Sequence, residues 1–325
     1  MKLSILDQSP IRNGGTAQDA LAETIELAKV GEKLGYERFW IAEHHNTNSL
    51  ASSAPEVLLA AVGAHTNTIR IGSGGVMLPH YAPFKVAETF SMLATLYPER
   101  VDLGIGRAPG SDMETARILA ADGVPKFDRF PQMVQDLRVL LTDRDFRPKV
   151  SPVPPSAPPV WMLGSSPESA SLAGYLGLPY NFALFINNKM SPQIFQYYRA
   201  QFKPSAGLDR PKTILTIIVV CADTEEQAQR IARSRVLSFV KRATGQKNRG
   251  IPSMEEAENY PYTPQELAFV RDKTYQAAIG TPKQVKAKIE QLAASYQTDE
   301  IMALTITYNF EDRIRSYELL AEQFL

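Results

Sequence analysis

The sequence predicts an α/β protein that folds as one (β/α)8 TIM barrel, a single domain over residues 1–325. Eight short apolar runs alternate with helical patterns along the chain. The runs are continuously apolar rather than alternating, as strands covered on both faces are. Strand–helix alternation repeated this often favours a closed barrel over an open doubly wound sheet. With 44% hydrophobic and 22% charged residues, a core of that size is available to the 325-residue chain.

The predicted strands are residues 3–6, 39–42, 69–72, 101–105, 160–163, 181–185, 213–220 and 300–307. Helix starts fall between them. Thr16 and Asp19 precede a stripe of Leu21, Ile25 and Ala28, and Gly35 lies just past its end. Val86, Phe90, Leu93 and Tyr97 share one helix face. Ser166-Pro167 and Ser191-Pro192 read as a cap followed by proline. Thr224 with Gln227, and Thr281 with Gln284, have capping-box spacing. Two segments break the rhythm. Residues 151–159 hold five prolines and form an extended connector. Residues 242–273 are long, polar and proline-punctuated, which predicts a mobile lid insertion rather than a packed element.

Lys+Arg and Asp+Glu both number 35, so no basic excess points to nucleic acid or an anionic membrane surface. No apolar run approaches the roughly 20 residues of a membrane span. Residues 1–7 lack a signal-peptide pattern, and a cytoplasmic location is expected. The one cysteine, Cys221, closes an apolar run and reads as a small buried hydrophobe; no cysteine metal cluster is possible, and no metal is expected.

Barrel active sites lie at the C-terminal strand ends, and four motifs fall there. Glu43-His44-His45 follows the second strand, either as a hydrogen-bonding pair or as chemistry. Gly72 to Pro79 follows the third, with glycines at 72, 74 and 75. It reads as an ordinary turn or as backbone open to a flat ligand. Arg107 stands between glycines after the fourth, at the surface or reaching a phosphate. Ser165, Ser166 and Ser169 lie at a helix start after the fifth, as a plain cap or as an anion site. Together the pieces suit a phosphorylated planar cofactor.

In this order, with Leu34-Gly35-Tyr36 and the Leu6–Pro10 stretch, the motifs resemble the bacterial luciferase-like monooxygenase family, closest to its alkanal-monooxygenase-like branch. The likeness covers nearly the whole chain. It implies reduced FMN, dioxygen and a small organic substrate, an aldehyde among the candidates, with a separate flavin reductase supplying FMNH2. It also implies a homodimer through the helices after strands two and three. There, residues 57–64 are apolar nearly all round, and the small residues Ala60, Ala61, Gly63 and Ala64 would let a partner approach. By the same resemblance His44 sits at the flavin's reactive edge with His45 beside it. Gly74 and Gly75 lie under the ring, often joined by a cis peptide. Arg107, Ser165, Ser166 and Ser169 hold the phosphate. A catalytic histidine would titrate near the working pH. Gly106 occupies the place of luciferase's reactive cysteine, which excludes thiol chemistry there. The competing readings are an F420-dependent oxidoreductase and a flavin-binding protein without turnover.

Overall fold

The structure, a computed structural model, describes residues 1–120, 122–246 and 249–325. Nine parallel strands form it: β1 Lys2–Asp7, β2 Arg38–Ile41, β3 Arg70–Met77, β4 Val101–Gly106, β5 Val160–Gly164, β6 Tyr180–Ala183, β7 Thr213–Cys221, β8 Ala278–Gly280 and β9 Glu300–Leu304. Eight of them, β1 to β7 and β9, close on themselves through the β6–β7 pairing, so the predicted barrel is present. The short β8 stands outside it. Leu215 to Ile218 of β7 pair with β9, and Val219 to Cys221 pair with β8.

The helices are α1 Ala17–Lys33, α2 Pro55–His65, α3 Pro83–Leu96, α4 Met113–Leu119, α5 Phe130–Thr142, α6 Pro167–Tyr175, α7 Gln193–Gln201, α8 Glu225–Ala243, α9 Met254–Asn259, α10 Pro264–Thr274, α11 Pro282–Tyr296 and α12 Phe310–Phe324. Apolar side chains such as Leu27, Phe39, Leu59, Phe90, Leu137 and Ile289 fill the layer between strands and helices. A separate cluster plugs the barrel interior around Leu6, Trp40, Trp161, Met302 and Leu304, with the two indoles edge to face at 5.3 Å.

Below that plug an ion network closes the N-terminal end. Buried Arg38 reaches Asp102 at 2.5 Å and Glu300 at 2.6 Å, and Arg70 meets Asp102 at 2.6 Å. The Trp40 indole N–H donates to the same Asp102 at 3.0 Å. One cation thus ties three strands at the end of a barrel that serves stability rather than chemistry.

Three expectations change. The Gly-rich motif does not follow the third strand; Gly72 to Met77 continue it, with a register shift between Ser73 and Val76. A Cβ on Gly72 would lie 2.6 Å from the Asp102 carbonyl, so glycine here serves close strand approach. The eighth predicted run ends at Leu304, because the Thr305 carbonyl accepts from Arg313 instead of a neighbouring strand. Within residues 242–273, where no packed element was expected, α9 and α10 are capped helices started by Ser253 and Thr263. Positions 247 and 248 of that segment lie outside the described residues.

Candidate active site

The strand ends of β3, β4, β5 and β6 surround a cavity of about 580 Å³ at the C-terminal rim. Gly74, Gly75, Arg107, Ser165, Ser166 and Ser169 all line it. The Gly74–Gly75 peptide is cis. A Cβ at Gly75 would come within 2.6 Å of the Gly104 carbonyl, so β3 and β4 meet there with no room for a side chain. What faces the cavity is therefore bare backbone.

At the opposite wall, Ser166 caps α6 and accepts from the Ser169 amide at 3.4 Å, while the Ser169 hydroxyl donates to the Ser166 carbonyl at 2.7 Å. Ser169 also meets the Tyr180 hydroxyl at 2.9 Å. A Cβ on Gly164 would overlap Ser169 Oγ at 2.0 Å, so glycine is what lets this turn close. Arg107 is exposed and lines the cavity, and among the described residues it makes no ion pair. Its charge reaches Glu168, whose carboxyl is held below the ordinary range first by the Ser166 hydroxyl and in small part by Arg107. A free guanidinium beside a helix N-terminus is an anion-binding arrangement.

The histidines lie elsewhere on the rim. His45 Nε2 meets Glu43 Oε1 at 2.8 Å. The same buried carboxylate accepts from the Tyr81 hydroxyl at 2.7 Å and from the Met77 amide at 3.0 Å. Glu43 thus ties the end of β2 to the end of β3, and His45 is the third group in that clamp. His44 donates its backbone amide to the Ser52 carbonyl and is among the residues that line a second cavity of about 280 Å³. Its Nδ1 is buried with no hydrogen-bond partner. Burial, then the charge of Arg242, push its pKa down to about 4. The expected imidazole titrating near the working pH is therefore replaced by one that stays neutral. Phe185 and Ile186 line both cavities and form the partition between them.

Sequence reasoning missed several cavity residues. Asn181 and Thr216 sit inside apolar strand runs, and the Thr216 hydroxyl donates to Asn181 Oδ1 at 2.7 Å in the lining of the first cavity. A polar residue inside an otherwise apolar barrel strand was the available signal. Arg235, Arg242 and Lys273 line the second cavity. They read in the sequence as solvated charges.

Comparison with known proteins gives a consistent result. A family model described as luciferase-like monooxygenase matches residues 1–299. An Escherichia coli protein described as a luciferase-like monooxygenase is 38% identical, covering 97% of this chain and 95% of its own. The N-acetyl-S-alkylcysteine monooxygenase of Bacillus subtilis is 35% identical across 100% of this chain and 98% of its own. The crystal structure of apo-MsnO8 superposes with a TM-score of 0.93 at 38% identity, covering 99% of this chain and 98% of the other.

Proposed function

This chain belongs to the luciferase-like monooxygenase family, and from that premise we propose that it is a flavin-dependent monooxygenase that uses reduced FMN, delivered by a separate reductase, with dioxygen and a small organic substrate. The reading rests on one observation: six residues from three motifs, Gly74, Gly75, Arg107, Ser165, Ser166 and Ser169, line a single cavity at the C-terminal rim. The residues fit the cofactor. Arg107 and the first turn of α6 would hold the phosphate, and the bare backbone of Gly74 and Gly75 would underlie the ring. When bound, the reduced flavin supplies the oxygen chemistry. The chain binds it, orients the substrate and excludes water. His44 handles a proton at Nδ1, the buried atom with no partner of its own, and His45 is held beside it by Glu43. Residues 242–273 act as a lid, contributing Arg242 and Lys273 to the second cavity's wall.

The test is oxygen uptake by the purified chain with photoreduced FMN and decanal, then ketones and amines, with products read by mass spectrometry. Substrate-dependent uptake and an oxygenated product support the reading. Flavin binding without turnover across the panel would make this a binding protein, and turnover with reduced F420 alone would replace the cofactor.

Arg107→Ala should weaken FMN binding by about 1.5–3 kcal/mol, the worth of a charge-assisted hydrogen bond. Fluorescence titration with FMN checks this; unchanged affinity puts the phosphate elsewhere.

A homodimer on the α2–α3 side also follows. Val57, Met92 and Leu96 are large apolar side chains left exposed there. Not all the small residues serve that face. A Cβ on Gly63 would lie 2.4 Å from the Tyr97 ring, and the Tyr97 hydroxyl donates to the Ala60 carbonyl, so this chain itself occupies both positions. Ala64 remains exposed. Ala64→Glu should therefore convert a dimer to monomer in sedimentation equilibrium, and a dimer indifferent to it has its interface on another side.

A further inference from the structure

Among the described residues three arginines are almost wholly buried, and two of them are paired with carboxylates. Arg38 meets Asp102 and Glu300, and Arg313 meets Asp7. The third, Arg235 on α8, is 6% exposed and has no ion pair among the described residues. Its Nε is buried without a hydrogen-bond partner. It stacks on the Phe239 ring at 4.3 Å, and Arg242 lies 5.5 Å from the same ring. Burial and the neighbouring Arg242 push Arg235 down to about 9, and no carboxylate offsets them. A guanidinium held out of water, unpaired and beside a second, exposed arginine is costly to hold unless an anion joins it.

Both arginines line the second cavity, with Lys273. No aspartate or glutamate does. The rest of the lining holds Gln8, His44 and Ser238 together with apolar side chains that include Phe185 and Ile186, which the first cavity shares. At about 280 Å³ the space suits a small molecule and is far too small for a dinucleotide.

We propose that this cavity is a substrate subsite for a small organic acid, its carboxylate or sulfonate held by Arg235 and Arg242 and its apolar body directed past Phe185 and Ile186 toward the first cavity. The direction of the body rests on the flavin reading above; the anion site does not. The unpaired guanidiniums supply fork-shaped donors for the head group. The apolar partition selects against a purely inorganic anion.

Calorimetric titration of the FMN-loaded protein with octanoate, octanesulfonate, 1-octanol and inorganic phosphate tests it. Octanoate or octanesulfonate should bind roughly tenfold or more tighter than 1-octanol and phosphate, since both head and tail contribute. Arg242→Gln and Arg235→Met should each remove about tenfold of that acid affinity and leave FMN binding unchanged. Equal affinity for octanoate and octanol, or for octanoate and phosphate, overturns the proposal. So does an Arg242→Gln variant that keeps its acid affinity, or one that loses FMN, which would make this the phosphate site. Should Arg235→Met fail to fold, the exposed Arg242 decides alone. A wild-type chain that binds no FMN can still be titrated with the acids, so failure of the flavin reading and failure of this one are separate results.

Discussion

Replacing His44 with alanine should leave the barrel and FMN binding intact while lowering product yield by roughly 100-fold or more, the contribution of a positioned proton-transfer group. Oxygen uptake should persist as hydrogen peroxide release. The expectation comes from an imidazole fixed by its amide to Ser52 and presenting an unpartnered, buried Nδ1. Its acidity gives a second readout. Burial and Arg242 lower the pKa from 6.5 to about 4. Between those values the unfolded chain takes up a proton that the native one refuses, so the unfolded state gains as pH falls. Stability from this residue is therefore full above about pH 6.5 and is lost as pH falls toward 4. His44→Gln should flatten that window in urea denaturation. The dependence of product yield on pH should show no His44 titration between about pH 5 and 8. Wild-type coupling of oxygen to product in His44→Ala would remove the residue from the chemistry.

Arg38→Ala should cost about 3–5 kcal/mol of stability, because it strands two buried carboxylates with one remaining counter-ion. Asp102 keeps its ion pair with Arg70, and Glu300 keeps the Ser4 hydroxyl at 2.6 Å. The network is at the far end of the barrel from the cavities, so FMN affinity of the fraction that folds should not change. Urea denaturation of variant and wild type measures the difference, and a loss below about 1 kcal/mol would rank the network with surface ion pairs.

The strands were legible because both faces are buried and the pattern is uninterrupted. Thr213–Cys221 is fully apolar apart from two threonines and a cysteine, and nothing else fits such a run. Strand β8 was not legible: Ala278, Ile279 and Gly280 are too few to carry a period. Glycines hid most of β3, since Gly72, Gly74 and Gly75 lower strand propensity while the packing demands them. The helices of the predicted lid had readable starts. Thr263 and Glu266 make a full capping box around Pro264, and the polar composition of the segment outweighed that signal. At the rim, the serine turn and Arg107, singled out by residue type and spacing, line the first cavity, and the histidine pair does not. Arg235 escaped because a charged residue on a helix ordinarily faces water, and only the fold reveals that α8 turns it inward.

The nine-residue β7 serves two sheets in succession, first the barrel through β9 and then β8. The excursion that carries α8, α9 and α10 is therefore stitched shut at its own base, independently of barrel closure. Closing a longer excursion adds only slowly to the entropy cost, roughly 0.6 kcal/mol per doubling. A change in the length of this stretch would leave the pairings of the eight-stranded frame untouched. Chimaeras joined at Cys221 and Ala278 would exchange Arg235, Arg242 and Lys273 of the second cavity and keep every residue that lines the first.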